Sequence, residues 1–142
     1  MPGMVGSYVH ANGKLAALVE LKCETEFAAR SEHVATFARD LALHIAAASP
    51  QWISEADVPA PAQAEELRIA RARLGDGRGA AHEREAQRRV QQWLNEAVLL
   101  NQPHVNDAAY QGKTIDELRA RISALVGEPV VIRRFARFHV GD

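Results

Sequence analysis

The 142 residues carry 17 Lys and Arg against 18 Asp and Glu, a formal net charge of -1, so no global field draws the chain towards nucleic acid or an anionic membrane. The only cysteine, Cys23, excludes an intramolecular disulfide and fits a reducing compartment. No stretch approaches the roughly 20 apolar residues of a membrane helix, and no basic segment with a long apolar run opens the sequence, so the reading is a soluble, cytoplasmic protein of one domain.

Val5 to His10 and Lys14 to Cys23 flank Ala11-Asn12-Gly13, and Asn-Gly favours the left-handed backbone of a tight turn, which predicts a hairpin. In its second strand Leu15, Ala17, Val19, Leu21 and Cys23 share one face by the period of two, with Ala16 and Leu18 on the other. Ser31 is the expected N-cap of a long helix whose Val34, Phe37, Ala38, Leu41, Ile45 and Ala48 form an apolar stripe. Pro50 ends it, and Trp52 to Pro61 reads as a proline-stiffened ordered loop anchored by Trp52, Ile53 and Val58. A surface helix from Gln63 to Leu74 and a second from about Glu83 to Val98 follow, the latter with Ala86, Val90, Trp93, Leu94 and Ala97 inward. Between them Gly75-Asp76-Gly77-Arg78-Gly79 is either a helix connection or a phosphate cradle, though it lacks the Gly-Lys-Ser/Thr ending and a preceding strand. Thr114-Ile115-Asp116-Glu117 matches a capping box before a last helix that Gly127 ends. Val130 to Val140 returns as a strand with Val130, Ile132, Ala136, Phe138 and Val140 on one face, interrupted by Arg134.

This pattern predicts an α+β domain, a three-stranded antiparallel sheet of hairpin plus C-terminal strand covered on one face by about four helices. On the uncovered face the alternation places Leu18, Val131 and Phe135 beside Arg133 and Arg137. That patch reads either as a self-association surface or as scattered, harmless apolar side chains.

Chemistry is sparsely marked. Cys23 reads as a core thiol or a nucleophile, and its place on the apolar strand face argues for the former. The histidines His10, His33, His44, His82, His104 and His139 show no metal-ligand spacing, so no metal site is expected. His44, near the C-terminal end of the long helix and off its apolar stripe, reads as a contact or as a solvent-facing or capping residue. Phe27, on a connection between charged neighbours, is either an exposed contact or a plug for the start of the long helix.

The run Cys23-Glu24-Thr25-Glu26-Phe27-Ala28-Ala29-Arg30 resembles the Cys-Glu-Thr-Asp-Phe-Val-Ala-Arg signature of bacterial elongation factor Ts. Tyr8 to Lys14, Leu18-Val19-Glu20, Asp40 to Ala47 with Pro50, Leu99 to Pro103 and Val130 to Phe138 resemble further segments of that family in the same order. The resemblance implies a non-enzymatic guanine nucleotide exchange factor that binds elongation factor Tu and promotes GDP release, without a cofactor of its own. By it Phe27 corresponds to an aromatic wedge that enters the partner near the Mg²⁺ bound with GDP, and Thr25, Glu26 and His44 to supporting contacts. It also implies a homodimer paired through its sheets. Glu26 stands where the family usually has aspartate, and nothing here corresponds to the small N-terminal helical domain that normally precedes the hairpin, so residues 1–142 are expected to form the core alone. The alternative is a core binding or dimerisation module that has lost exchange.

Overall fold

Asn12 and Gly13 decide where the first strand turns back. Gly13 takes φ 72°, a left-handed conformation that costs a residue without Cβ little. The Asn12 side-chain oxygen accepts from the Lys14 N–H at 3.0 Å, and the His10 carbonyl accepts from the Gly13 N–H at 2.8 Å. The computed structural model describes all residues, Met1–Asp142. Elements follow in the order β1 (Gly3–Val9), β2 (Leu15–Lys22), α1 (Glu26–Ala29), α2 (Glu32–Ala48), α3 (Ala60–Arg73), α4 (Ala80–Ala97), α5 (Asp107–Tyr110), α6 (Ile115–Val126) and β3 (Val131–His139), with 3-10 turns at Glu55–Asp57 and Leu99–Asn101. The three strands form one antiparallel sheet in the order β1-β2-β3, giving the expected α+β class.

The chain forms two compact units, one of Met1–Ser49 with Pro103–Asp142 and the other of Pro50–Gln102. In the first, α2 lies along the sheet and α6 packs on α2. Ala17, Val19, Leu21 and Cys23 of the β2 side meet Val34, Phe37, Ala38, Leu41 and Ile45 of α2 in a fully buried core, as the two periodicities require. Gly6 permits the close approach, because a Cβ placed there would lie 2.2 Å from the Ala38 carbonyl oxygen. Ser31 caps α2 through the His33 N–H, and Thr114 and Glu117 make the capping box of α6. The short α5, which hydrophobic spacing does not announce, is capped by Asn106.

In the second unit the apolar sides of α3 and α4 face each other. Val58, Val90, Leu94 and Val98 are its core, with Trp52, Ala62, Leu67 and Trp93 packed against them. The two tryptophans meet edge to face at 5.7 Å. Asp57 accepts from the Ser54 N–H and hydroxyl, which orders the proline-rich segment. Gly75 to Gly79 joins two helices, with Arg71 and Glu83 paired across it at 2.6 Å, so the helix-connection reading holds over a phosphate cradle.

One expectation about the sheet is corrected. Glu20 pairs with Arg134 and Leu21 with Ile132, which leaves Arg133 as an extra residue in a β-bulge. Beyond the bulge every β3 side chain changes face relative to an unbroken alternation. Phe135 lies opposite the buried Val19, and the Arg137 guanidinium donates to the Ala46 carbonyl of α2 at 2.9 Å, so both are on the helix-covered side. Arg134, Ala136 and Phe138 take the open face instead, with Leu18 and Val131 staying on it as expected. The bulge removes Arg134 from the core side, where its charge would have met α2. On the open face it pairs with Glu20 at 2.5 Å while Arg133 reaches the same carboxylate at 3.0 Å. These arginines hold the Glu20 carboxyl below the usual carboxylate range, Arg134 most strongly.

Candidate functional site

Thr25 begins a single helical turn where β2 has run out. Its hydroxyl oxygen accepts from the Ala28 N–H at 3.2 Å, the N-cap bond that satisfies one orphan donor of α1. Ala28 and Ala29 are buried and fasten the turn to the core, while Phe27 between them and the cap is 90% exposed. The aromatic is thus on a short helix and not on an irregular connection, and it is not a plug for α2. Glu26 stands beside it in solvent, 3.9 Å from Arg30 one turn on. An isolated turn this short has little stability of its own, so its orientation comes from these anchors.

A further anchor comes from the other end of the sequence. One oxygen of Glu128, just beyond the end of α6, accepts from the backbone N–H groups of both Glu24 and Thr25 at 2.9 Å, and its other oxygen accepts from the Thr25 hydroxyl at 3.0 Å. These bonds hold the Glu128 carboxyl below its ordinary range, the backbone bond from Thr25 being the largest cause. Sequence reading missed this residue. Its only local signal is that it follows Gly127, the left-handed end of α6, and nothing nearby points to residue 25.

His44 is not at the surface. It is 0% exposed, its Nδ1 accepts from the Val105 N–H at 3.1 Å, and its ring lies 5.1 Å from that of His104. The expectation of a solvent-facing histidine is corrected by that burial: the ring holds the 103–106 segment against α2. His104 is buried next to it, accepting at Nδ1 from the Asn106 N–H at 3.0 Å and facing the Asp40 carbonyl through Nε2 at 2.8 Å, as one neutral tautomer satisfies. Burial pushes the His104 pKa down, partly offset by Asp40. The Tyr110 ring packs on His104 and its hydroxyl donates to the Asp40 carboxylate; burial and then that carboxylate push the phenol up to about 12. The structure therefore brings Thr25, Glu26 and Phe27 together, while His44 lies about 18 Å along α2 from its start at Glu32.

Cys23 is buried and free, and burial, then Glu128 and Glu26, push its thiol up, which is the setting of an inert core cysteine. No group of three or more His, Cys, Asp or Glu side chains is gathered that could hold a metal ion, and no helix is long and apolar enough to cross a membrane. The sheet's open face carries Phe138, Val9, Val5 and Leu18, at 73%, 67%, 62% and 49% exposure, around the Glu20 ion pairs.

What fold and site define is an α+β module that presents an exposed aromatic on an anchored helical turn, beside a sheet whose other face is bare. Residues 1–141 match the family described as Elongation factor TS, and the chain belongs to that family of translation elongation factors. It is 39% identical over 142 residues to Elongation factor Ts of Anaeromyxobacter sp. (strain Fw109-5), covering 99% of this chain and 64% of that protein. To the Rubrobacter xylanophilus Elongation factor Ts it is 41% identical over 140 residues, covering 97% and 70%. To that of Geobacter sulfurreducens it is 37% identical, covering 99% and 64%. The chain thus spans about two thirds of the length of these relatives.

Proposed function

We propose that this chain is a guanine nucleotide exchange factor that binds elongation factor Tu in the cytoplasm and promotes release of GDP, with Phe27 as the inserted contact. The observation that carries the reading is the 90% exposure of Phe27 on a turn fixed by a cap, two buried alanines and a distant carboxylate. A phenyl ring held in water gains free energy when a partner covers it, and a rigid one loses little conformational entropy in docking. Glu26, on the same turn and 3.9 Å from Arg30, supplies a charged contact next to the ring. Its longer side chain, relative to aspartate, keeps the charge but moves it outward.

Exchange needs no bond to be made or broken. If the factor binds the nucleotide-free partner more tightly than the GDP-bound one, GDP binds the complex more weakly than free partner by the same factor. Thr25 serves this function through its cap and Glu128 bonds, and His44 serves it from the interior by holding the 103–106 segment. The test is stopped-flow release of fluorescent GDP from elongation factor Tu. The chain should accelerate release, and Phe27→Ala should remove the acceleration with an unchanged circular dichroism spectrum and melting temperature. Equal acceleration by both would overturn the assignment of Phe27.

A second reading, a core module that self-associates without exchanging nucleotide, draws on the open sheet face. Leu18, Val131 and Arg133 belong to it as the sequence indicated, whereas Phe135 and Arg137 do not; Phe138, Val5 and Val9 take their place. Pairing through this face is compatible with exchange, since Phe27 is not part of it. A folded chain that dimerises but leaves GDP release unchanged would favour the second reading.

A further inference from the structure

We propose that Glu128 is the positioning residue of the Phe27 turn, setting the angle at which the aromatic meets the partner; this rests on the exchange reading of Phe27. The turn carries four residues, too few to hold a direction by its own hydrogen bonds. Its direction is set where the backbone enters it, at Glu24 and Thr25, and there a single carboxylate takes both backbone N–H groups at 2.9 Å and the Thr25 hydroxyl at 3.0 Å. The same hydroxyl's oxygen then accepts from the Ala28 N–H at 3.2 Å, so the bonds run without a break from Glu128 through Thr25 into the helical turn. Charge-assisted bonds of this kind are stronger and more directional than neutral ones.

The base on which Glu128 stands is itself fixed. Two residues on, the Val130 N–H donates to the Ser123 hydroxyl at 3.0 Å, that hydroxyl donates to the Arg119 carbonyl at 2.9 Å, and Arg119 donates to the Val130 carbonyl at 3.3 Å. These bonds lock the start of β3 to the last turns of α6. Glu128 thereby couples the turn to a junction more than 100 residues away in sequence. The two amides it accepts from are exposed, so water replaces the carboxylate if it is removed: the fold survives and only the orientation of the turn is released.

The experiment compares Glu128→Gln, Phe27→Leu and their double variant in release of fluorescent GDP from elongation factor Tu, together with amide hydrogen exchange of the free chains. Gln keeps the shape, halves the acceptors and removes the charge. Glu128→Gln should slow Phe27-dependent release about tenfold, the scale of a lost charge-assisted contact in mutant kinetics. It should also deprotect the Glu24 and Thr25 amides while leaving those of β2 and α2 unchanged. In the Phe27→Leu background the further slowing should be much smaller, because the positioned ring is already truncated; a general structural role would slow both backgrounds equally. Unchanged protection at Glu24 and Thr25, unchanged release, or equal slowing in both backgrounds overturns the proposal while Phe27 keeps its role. If Phe27→Ala leaves release untouched, the exchange reading of Phe27 fails and this proposal fails with it.

Discussion

Under the proposed function, covering the Phe27 ring is worth about 2–3 kcal/mol, so Phe27→Ala should weaken binding to nucleotide-free elongation factor Tu by roughly 30- to 150-fold. Titration calorimetry reads this apart from the kinetic effect. At the same scale His104 makes the stability of the chain depend on pH. Burial holds its folded-state pKa below the usual histidine range, so the unfolded chain takes up a proton at a higher pH than the folded one does. The contribution is complete above about pH 6.5 and is lost as the pH falls towards the depressed value. Urea midpoints measured from pH 7.5 to 5.5 should therefore fall on acidification, and His104→Gln should flatten that fall. The groups facing the ring are His44, Tyr110 and the Asp40 carbonyl, so the first segment to loosen in acid should be 103–110, seen by amide exchange.

The contact of α2 with the sheet turns on residues that have almost no side chain. A methyl group on Gly6 would meet the Ala38 carbonyl oxygen at 2.2 Å and its Cβ at 2.8 Å, and these atoms belong to the helix itself rather than to a flexible side chain that could swing away. Gly6→Ala should lower unfolding free energy by about 1–3 kcal/mol through overpacking, measured in urea, with α2 displaced outward from β1. The β-bulge acts at this scale too. By inserting Arg133 it turns Phe135 towards the core and Arg134 towards Glu20, and it sends Phe138 to the open face.

For the whole molecule the open sheet face is the feature that a partner must cover or solvent must tolerate. Phe138, Val5, Val9 and Leu18 surround a Glu20–arginine cluster, a mixture suited to an interface whose charges fix the alignment of two apolar surfaces. If two copies pair through it, Phe138→Asp should yield a monomer in light scattering after size exclusion, with melting behaviour of the isolated chain retained. A dimer unaffected by that change would place the contact elsewhere. The second unit contributes its own core, in which Trp52 and Trp93 anchor the proline-rich segment to the α3–α4 pair.

Local chemistry alone determined the hairpin at Asn12-Gly13, the Ser31 and Thr114 caps and the apolar stripe of α2, because turn conformation, cap bonds and helical periodicity are settled among residues a few positions apart. The signature around Phe27 was legible as well, and with it the family. Tertiary structure decided what depended on distant partners. Periodicity carried Phe135 and Arg137 to the wrong face because a bulge is defined by the neighbouring strand, not by the strand that contains it. His44 lay off the main apolar stripe and still became fully buried, since the 103–106 segment closes over it. The carboxylate that holds the Phe27 turn comes from residue 128, and only folding brings it to residue 25, where two backbone donors without helical partners meet a charge that no local pattern could supply.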